Sequence, residues 1–221
     1  MEVDEEHLTT MQEGEHCFPN EETLAFLKNW VLQYIKKESS DIFMWTSEVF
    51  LTKPTQYKTE LEEKVYETLE ELKIPFFRVD TEPLISMEDC LVVNEKLQMK
   101  TVKTLFLCNQ QKTKFYLCIM PGDKRFDCKA FSHALNIARV SFGSEQLMNE
   151  LLKTQIGACT VFSALIDTEN KVQIVIDQEV LKEEDYGCSD GTTTGYMKIK
   201  TKDVLEKILP YSHHTPIIIE L

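Results

Sequence analysis

The order in which helical and extended patterns follow one another most constrains what this chain can become. Tyr57 to Lys73 is amphipathic, with Leu61, Val65, Leu69 and Leu72 on one face and Glu and Lys elsewhere. Pro75 stops that helix, and Phe76, Phe77 and Val79 begin a strand. Ser86 caps a short helix with Glu88 and Asp89 in its first turn. Two β runs, 104–108 and 114–120, flank the polar turn 109–113 and predict a hairpin. Residues 129–135 read as a short helix, 140–142 as a brief strand, and 144–152 as a helix capped by Ser144, with Leu147, Met148, Leu151 and Leu152 inward. A second strand pair is expected at 159–166 and 172–176, turning at 167–171. A polar loop, 183–195, precedes a strand at 196–199; Thr201 caps a helix over 202–209, and 217–219 is the last strand. Strands and helices mix without regular βαβ alternation, so the class is α+β rather than doubly wound.

Upstream of this domain, residues 1–19 are polar and aperiodic. From Asn20, Leu24, Leu27, Val31 and Ile35 recur at helical spacing through Lys37, and an apolar patch with Phe43 and Trp45 follows before Pro54. The expected division is an acidic tail plus helical extension over 1–54 and a main domain over 55–221. The stripe of the extension packs on that domain or meets a second subunit.

No run approaches the ~18 consecutive apolar residues of a membrane helix, and the acidic N-terminus MEVDEEHLTT has no apolar signal core. A soluble, cytoplasmic protein is expected. The seven Cys are odd in number and form no C-x-x-C pair, so neither a disulfide framework nor a zinc site is expected, and no cofactor. The net charge of −13 disfavours non-specific nucleic-acid binding, which draws its affinity from phosphate contacts. Lys100 to Lys129 nevertheless holds seven bases against Asp123 and Asp127, enough to grip one phosphate-rich end or to form a solvated turn.

Nucleotide-binding loops, H-E-x-x-H and G-x-S-x-G are all missing. His133, His213 and His214 read as surface or structural histidines. What stands out is Lys103, which leads directly into the apolar strand 104–107. At a strand mouth a lysine can project into the space the sheet encloses, or it can be an ordinary edge lysine. The loop 185–195 carries three Gly, three Thr, Ser189 and Tyr186, whose amides can meet a carboxyl, ester or phosphate, or simply face solvent.

From about residue 57 to the end the chain resembles the prolyl-tRNA synthetase-associated (YbaK/ProX) editing-domain family. The matching runs keep their order: 69–76, 78–80, 82–84, Lys103 to Leu107, 115–117, Met120 to Lys124, Ser141-Phe142, Gly157, Leu181, Gly187, and the ending His213, Pro216, Glu220, Leu221. The resemblance implies a mixed, partly barrel-like β-sheet flanked by helices. It implies a metal-free hydrolase, without a covalent nucleophile, that cleaves mischarged aminoacyl-tRNA, commonly tRNA(Pro) carrying Ala or Cys. The implied partners are the acylated 3′ end of the tRNA and prolyl-tRNA synthetase. Lys103 matches the lysine that holds the substrate end. Leu84, Ser86 and Met87 match the pocket entrance, Thr104 follows the lysine, and Ser163 with Gly187, Cys188 and Ser189 matches the opposite wall.

The departures bear on function. Thr104 stands where the family commonly has Asn, Ser189 and Asp190 replace a His-Pro pair, and Ser163 replaces a Gly. Ser163 is expected to shrink or polarise the pocket, and Asp190 to put negative charge near an incoming carbonyl. Two readings follow: a deacylase of altered aminoacyl selectivity, or a non-catalytic module that senses an amino acid or aminoacyl end.

Overall fold

Thr59 starts the first helix, α1 (Glu60–Glu71), by accepting the Glu62 N–H on its hydroxyl at 3.0 Å, and the apolar stripe buries Leu61, Val65 and Leu69 completely. A computed structural model describes residues 44–221; the expected tail and the helix from Asn20 to Lys37 lie outside them. The chain leaves α1 through Lys73 at a left-handed φ of 52°, and Pro75 leads into β1 (Phe77–Asp80). Residues 44–54, expected as the end of a helical extension, instead run extended along β1. Ser47 N–H donates to the Asp80 carbonyl at 2.8 Å, and Phe50 and Arg78 exchange bonds at 2.8 and 2.9 Å. An edge strand presents unpaired backbone groups, and this segment covers them.

Five strands form the larger sheet: β2 (Val102–Asn109), β3 (Phe115–Pro121), β4 (Val140–Phe142), β5 (Val172–Asp177) and β8 (Ile217–Ile219), in the order β4-β2-β3-β5-β8. The β2–β3 hairpin is antiparallel as expected, whereas β3–β5 and β5–β8 are parallel. A second sheet has the order β1-β7-β6, with β6 (Asp185–Ser189) and β7 (Gly195–Lys200). One parallel bridge, Thr101 to Gly187, links the sheets. Each sheet keeps open edges among the described residues, so the expected barrel-like character reduces to two open, mixed sheets in an α+β fold.

Two local expectations fail. Residues 159–166 form a 3-10 turn, Val161–Leu165, rather than a strand, with all five side chains buried. A short apolar run reads equally as strand or buried turn, and here Thr160 and Ser163 close a capping box. The loop expected at 183–195 holds β6 and a buried turn.

The alternation of β2 and β3 divides the core. Phe106, Leu117 and Ile119 face a cluster with α1, the 3-10 turn and the C-terminal helix. Leu107, Tyr116, Cys118 and Met120 face Phe131 of α3 (Cys128–Ala134). The remaining helices are α2 (Leu91–Leu97), packed under the smaller sheet, α4 (Glu145–Leu152) capped by Ser144, and α5 (201–211). Within α5 the turn Val204–Ile208 is π-helical, just before Pro210, which has no N–H to return to the preceding turn. No helix among the described residues is long and apolar enough to cross a membrane.

Candidate functional site

The short β4 covers only one end of β2, pairing Leu107, Cys108 and Asn109. From Val102 to Phe106 the strand is an open edge beside a cavity of about 390 Å³. The edge is bounded by the Thr101–Gly187 bridge at one end and by the Gly143 N–H donating to the Phe106 carbonyl, at 2.9 Å, at the other. That bond fixes the direction in which the backbone groups of Phe106 point. The period of two turns the N–H and C=O of Thr104 the same way, toward the cavity, where no strand of the described residues pairs them.

Lys103 stands opposite Met120 in the hairpin, is half-buried and is among the residues that line the cavity. Its ammonium donates to the Lys124 carbonyl in the connection between β3 and α3. One of three donors is thereby spent, leaving two for a ligand. Burial holds the Lys103 pKa below the usual lysine value, and the nearby charge of Asp123 partly offsets it. Lys124 itself is anchored: its Nζ lies 2.9 Å from Oδ2 of the fully buried Asp177 and 3.1 Å from Oε1 of Glu179. Among the described lining residues Lys103 is the only charged one.

Ser86, Met87, Lys103, Thr104 and Ser189 come together around this cavity. The Ser189 hydroxyl donates to the Ala158 carbonyl at 3.2 Å and accepts from the Gly191 N–H at 3.4 Å. Four other expected residues lie elsewhere. Leu84 is fully buried in the core beneath α2, with its carbonyl accepting the Tyr196 hydroxyl at 3.1 Å. Ser163 is buried in the 3-10 turn, where it caps Thr160 rather than shrinking the cavity. Gly187 is a close-approach residue: an added Cβ would lie 2.8 Å from the Lys100 carbonyl, so only Gly lets β6 meet Thr101. Cys188 alternates to the opposite face, and burial pushes its thiol up to about 12.

Asp190 also departs from expectation. It turns away from the cavity and is buried; Oδ2 accepts the Tyr66 hydroxyl at 3.0 Å and Oδ1 accepts the Thr192 hydroxyl at 2.8 Å. Burial pushes its carboxyl above the usual range, against the pull of the Thr192 and Tyr66 hydrogen bonds. Among the residues that sequence reasoning missed are Ile85, Cys90, Phe142, Ile156, Cys159 and Tyr196, drawn from separate segments. Desolvation raises both cavity thiols, Cys159 to about 12, so neither is a ready thiolate nucleophile. No cluster of three or more metal-ligating side chains occurs among the described residues.

Residues 81–207 match the family model described as Aminoacyl-tRNA editing domain, a span that carries β2, the cavity walls and the β6–β7 turn. The chain belongs to the aminoacyl-tRNA editing domain family. This editing domain is 26% identical over 153 residues to prolyl-tRNA editing protein ProX of Acetoanaerobium sticklandii, covering 69% of this chain and 93% of that one. Its fold is similar to a crystal structure described as a candidate trans-editing enzyme for prolyl tRNA synthetase. There the TM-score is 0.54 at 12% identity, covering 75% of this chain and 99% of the other. A scaffold protein used in computational epitope grafting is similar at a TM-score of 0.56 and 14% identity, covering 74% and 97%.

A larger cavity of about 730 Å³ adjoins the first and shares Met87, Thr101 and Val102 with it. Glu88, Asp123, Glu179, Glu183 and Asp185 make it acidic, against Lys100 and Lys182. The basic stretch seen in the sequence is partly spent: Lys103 is turned inward, Lys124 holds Asp177, and Lys100 pairs with Glu183 at 2.5 Å.

Proposed function

We propose that this editing domain is a trans-acting deacylase that hydrolyses the ester of a mischarged aminoacyl-tRNA, with tRNA(Pro) carrying a small amino acid as substrate. The reaction unit is residues 55–221, and it acts in the cytoplasm on the acylated 3′ end, alongside prolyl-tRNA synthetase. An aminoacyl ester is already activated, so positioning and stabilisation of the developing oxyanion are sufficient catalysis. Water adds to the acyl carbon, the bond to the ribose oxygen breaks, and that oxygen leaves with a proton as free hydroxyl. The observation that carries this reading is Lys103: the only charged lining residue among the described residues, bonded to the Lys124 carbonyl, with two donors left. The open backbone N–H of Thr104 is a second donor on the same wall.

The test is a deacylation panel of mischarged tRNAs with wild type and Lys103→Ala. Removing one oxyanion donor costs about 10²–10³ in kcat, so the variant should lose at least about a hundredfold. Equal turnover removes Lys103 from the reaction. A second reading is favoured by the lack of any His, Asp or Glu among the described lining residues: a module that binds an amino acid or aminoacyl end without cleaving it. Thermal stabilisation by an amino acid with no turnover on any tRNA selects that reading.

A further inference from the structure

Three large apolar side chains stand at the mouth of the Lys103 cavity and are exposed: Ile85 at 68%, Phe142 at 61% and Ile156 at 59%. Leaving such surface wet is unfavourable, and a cluster of it at a cavity mouth marks a place that a ligand covers. Phe142 is also held in orientation. Its ring packs edge-on against Phe126 at 5.8 Å between centroids and 64°, and Phe126 packs on the fully buried Phe131 at 5.7 Å. One edge of the ring is therefore packed, while most of its surface stays exposed.

Charge gives the surroundings a direction. Arg125 adjoins Phe126 in sequence and Arg139 lies just before β4, both exposed. With Lys129 they make no ion pair within 4 Å among the described residues. In the adjoining cavity Glu179, Glu183 and Asp185 are held by Lys124, Lys100 and Lys200, which leaves Glu88 and Asp123 without an ion pair within 4 Å among the described residues. The exposed cations without an ion pair thus flank Phe126 and β4, while the unpaired carboxylates line the other cavity, so charge favours an RNA strand on the Phe142 side.

We propose that Phe142, with Ile85 and Ile156 across the opening, is the stacking platform for the terminal nucleobase of the RNA whose acyl group enters the cavity. This rests on the deacylase reading for the acyl group, but the platform itself needs only the RNA end. Every base has a π-face, so such a ring holds the terminal base without hydrogen-bond readout, while Arg125 and Arg139 meet the phosphates behind it.

The experiment measures binding of an unacylated cytidine-cytidine-adenosine trinucleotide to the full chain, beside the same trinucleotide lacking its terminal base. Phe142→Ala should weaken the intact trinucleotide about tenfold, roughly 1.4 kcal/mol, and Phe142→Trp should restore binding. The abasic probe should bind as weakly to wild type as the intact probe does to Phe142→Ala, and should not respond to the substitution. Equal binding of both probes, no measurable binding to wild type, or an intact response in Phe142→Ala overturns the platform. So does a result in which Phe142→Ala dissociates a dimer and leaves RNA binding unchanged. Deacylation assays separate the two proposals. Trinucleotide binding through Phe142 without hydrolysis of any acylated tRNA removes the deacylase and keeps the platform; hydrolysis with an unaltered KM in Phe142→Ala does the reverse.

Discussion

Replacing Lys124 by Met tests whether a buried ion pair on one side of the sheet positions the ammonium on the cavity wall. Asp177 is fully buried; its Oδ1 accepts the Glu179 N–H at 3.0 Å, and apart from Lys124 its Oδ2 has no partner among the described residues. Lys124→Met therefore strands one oxygen of a buried carboxylate. Breaking a buried pair in this way costs about 3–5 kcal/mol. Lys124 keeps 21% of its side chain exposed, so water relieves part of the loss and about 2–3 kcal/mol is expected. For a domain of this size that lowers Tm by roughly 4–12 °C. The double variant Lys124→Met/Asp177→Asn should recover most of the stability, because the unpaired charge is gone.

The same substitution reaches the site through the main chain. The Lys124 carbonyl accepts from the Lys103 ammonium, so loosening the connection between β3 and α3 frees the ammonium to leave its position. Misplacement of a reacting group by about 1 Å can cost on the order of a hundredfold, so kcat should fall together with Tm in Lys124→Met and return in Lys124→Arg. Differential scanning fluorimetry and single-turnover deacylation read the two effects separately. A fall in Tm with an unchanged kcat refutes the link from the pair to Lys103. An unchanged Tm refutes the pair as the anchor of the connection.

Two pH experiments follow from the charges. Lys103 titrates below the usual lysine value because it is desolvated, and Asp123 opposes that shift; kcat/KM should fall as pH rises through this pKa, and Asp123→Asn should move the alkaline limb to lower pH. A limb that moves up, or not at all, contradicts the assignment. Burial raises the Asp167 carboxyl, but bonds from His214, Val172 and Lys171 outweigh it and hold the pKa below the usual value. A depressed pKa means stability that is present above about pH 4 and is lost as pH falls through the folded-state value. Asp167→Asn should therefore be less stable than wild type at neutral pH, by about 1–3 kcal/mol, with the gap closing in acid. A gap that is constant with pH would show that the ionised form is not what matters.

Much of the fold was legible because single segments carried it. The stripe of Leu61, Val65 and Leu69, the Ser144 cap and the 109–113 turn each fix local structure without help from a distant partner. Residues 159–166 were misread because an apolar run of that length has no period that separates a strand from a buried 3-10 turn. The polar stretch before Gly195 misled for the opposite reason. Its hydroxyls and Asp190 satisfy one another inside a buried turn, so polarity there records internal bonding rather than contact with water. At the site, Lys103 and Ser189 were visible as residues, yet the neighbours Cys90, Ile156 and Tyr196 were not, since only tertiary packing brings their segments together.

The replacement of the family His-Pro acquires a different meaning once Asp190 is seen in place. A carboxylate in the cavity would have opposed an oxyanion, but this one lies against Gly195, where an added Cβ would come within 1.9 Å of its Oδ2, and is bonded to Tyr66 and Thr192. Where the resembled family has a His-Pro pair, this chain adds no charge to the wall. Ser189 supplies a small hydroxyl already engaged with Ala158 and Gly191. On the proposed deacylase reading, the electrostatic work in the cavity falls on Lys103, with the open backbone of Thr104 beside it. On that reading the site depends on the placement of one cation rather than on proton transfer by a wall residue, and the stability of the Lys124–Asp177 anchor becomes part of its chemistry.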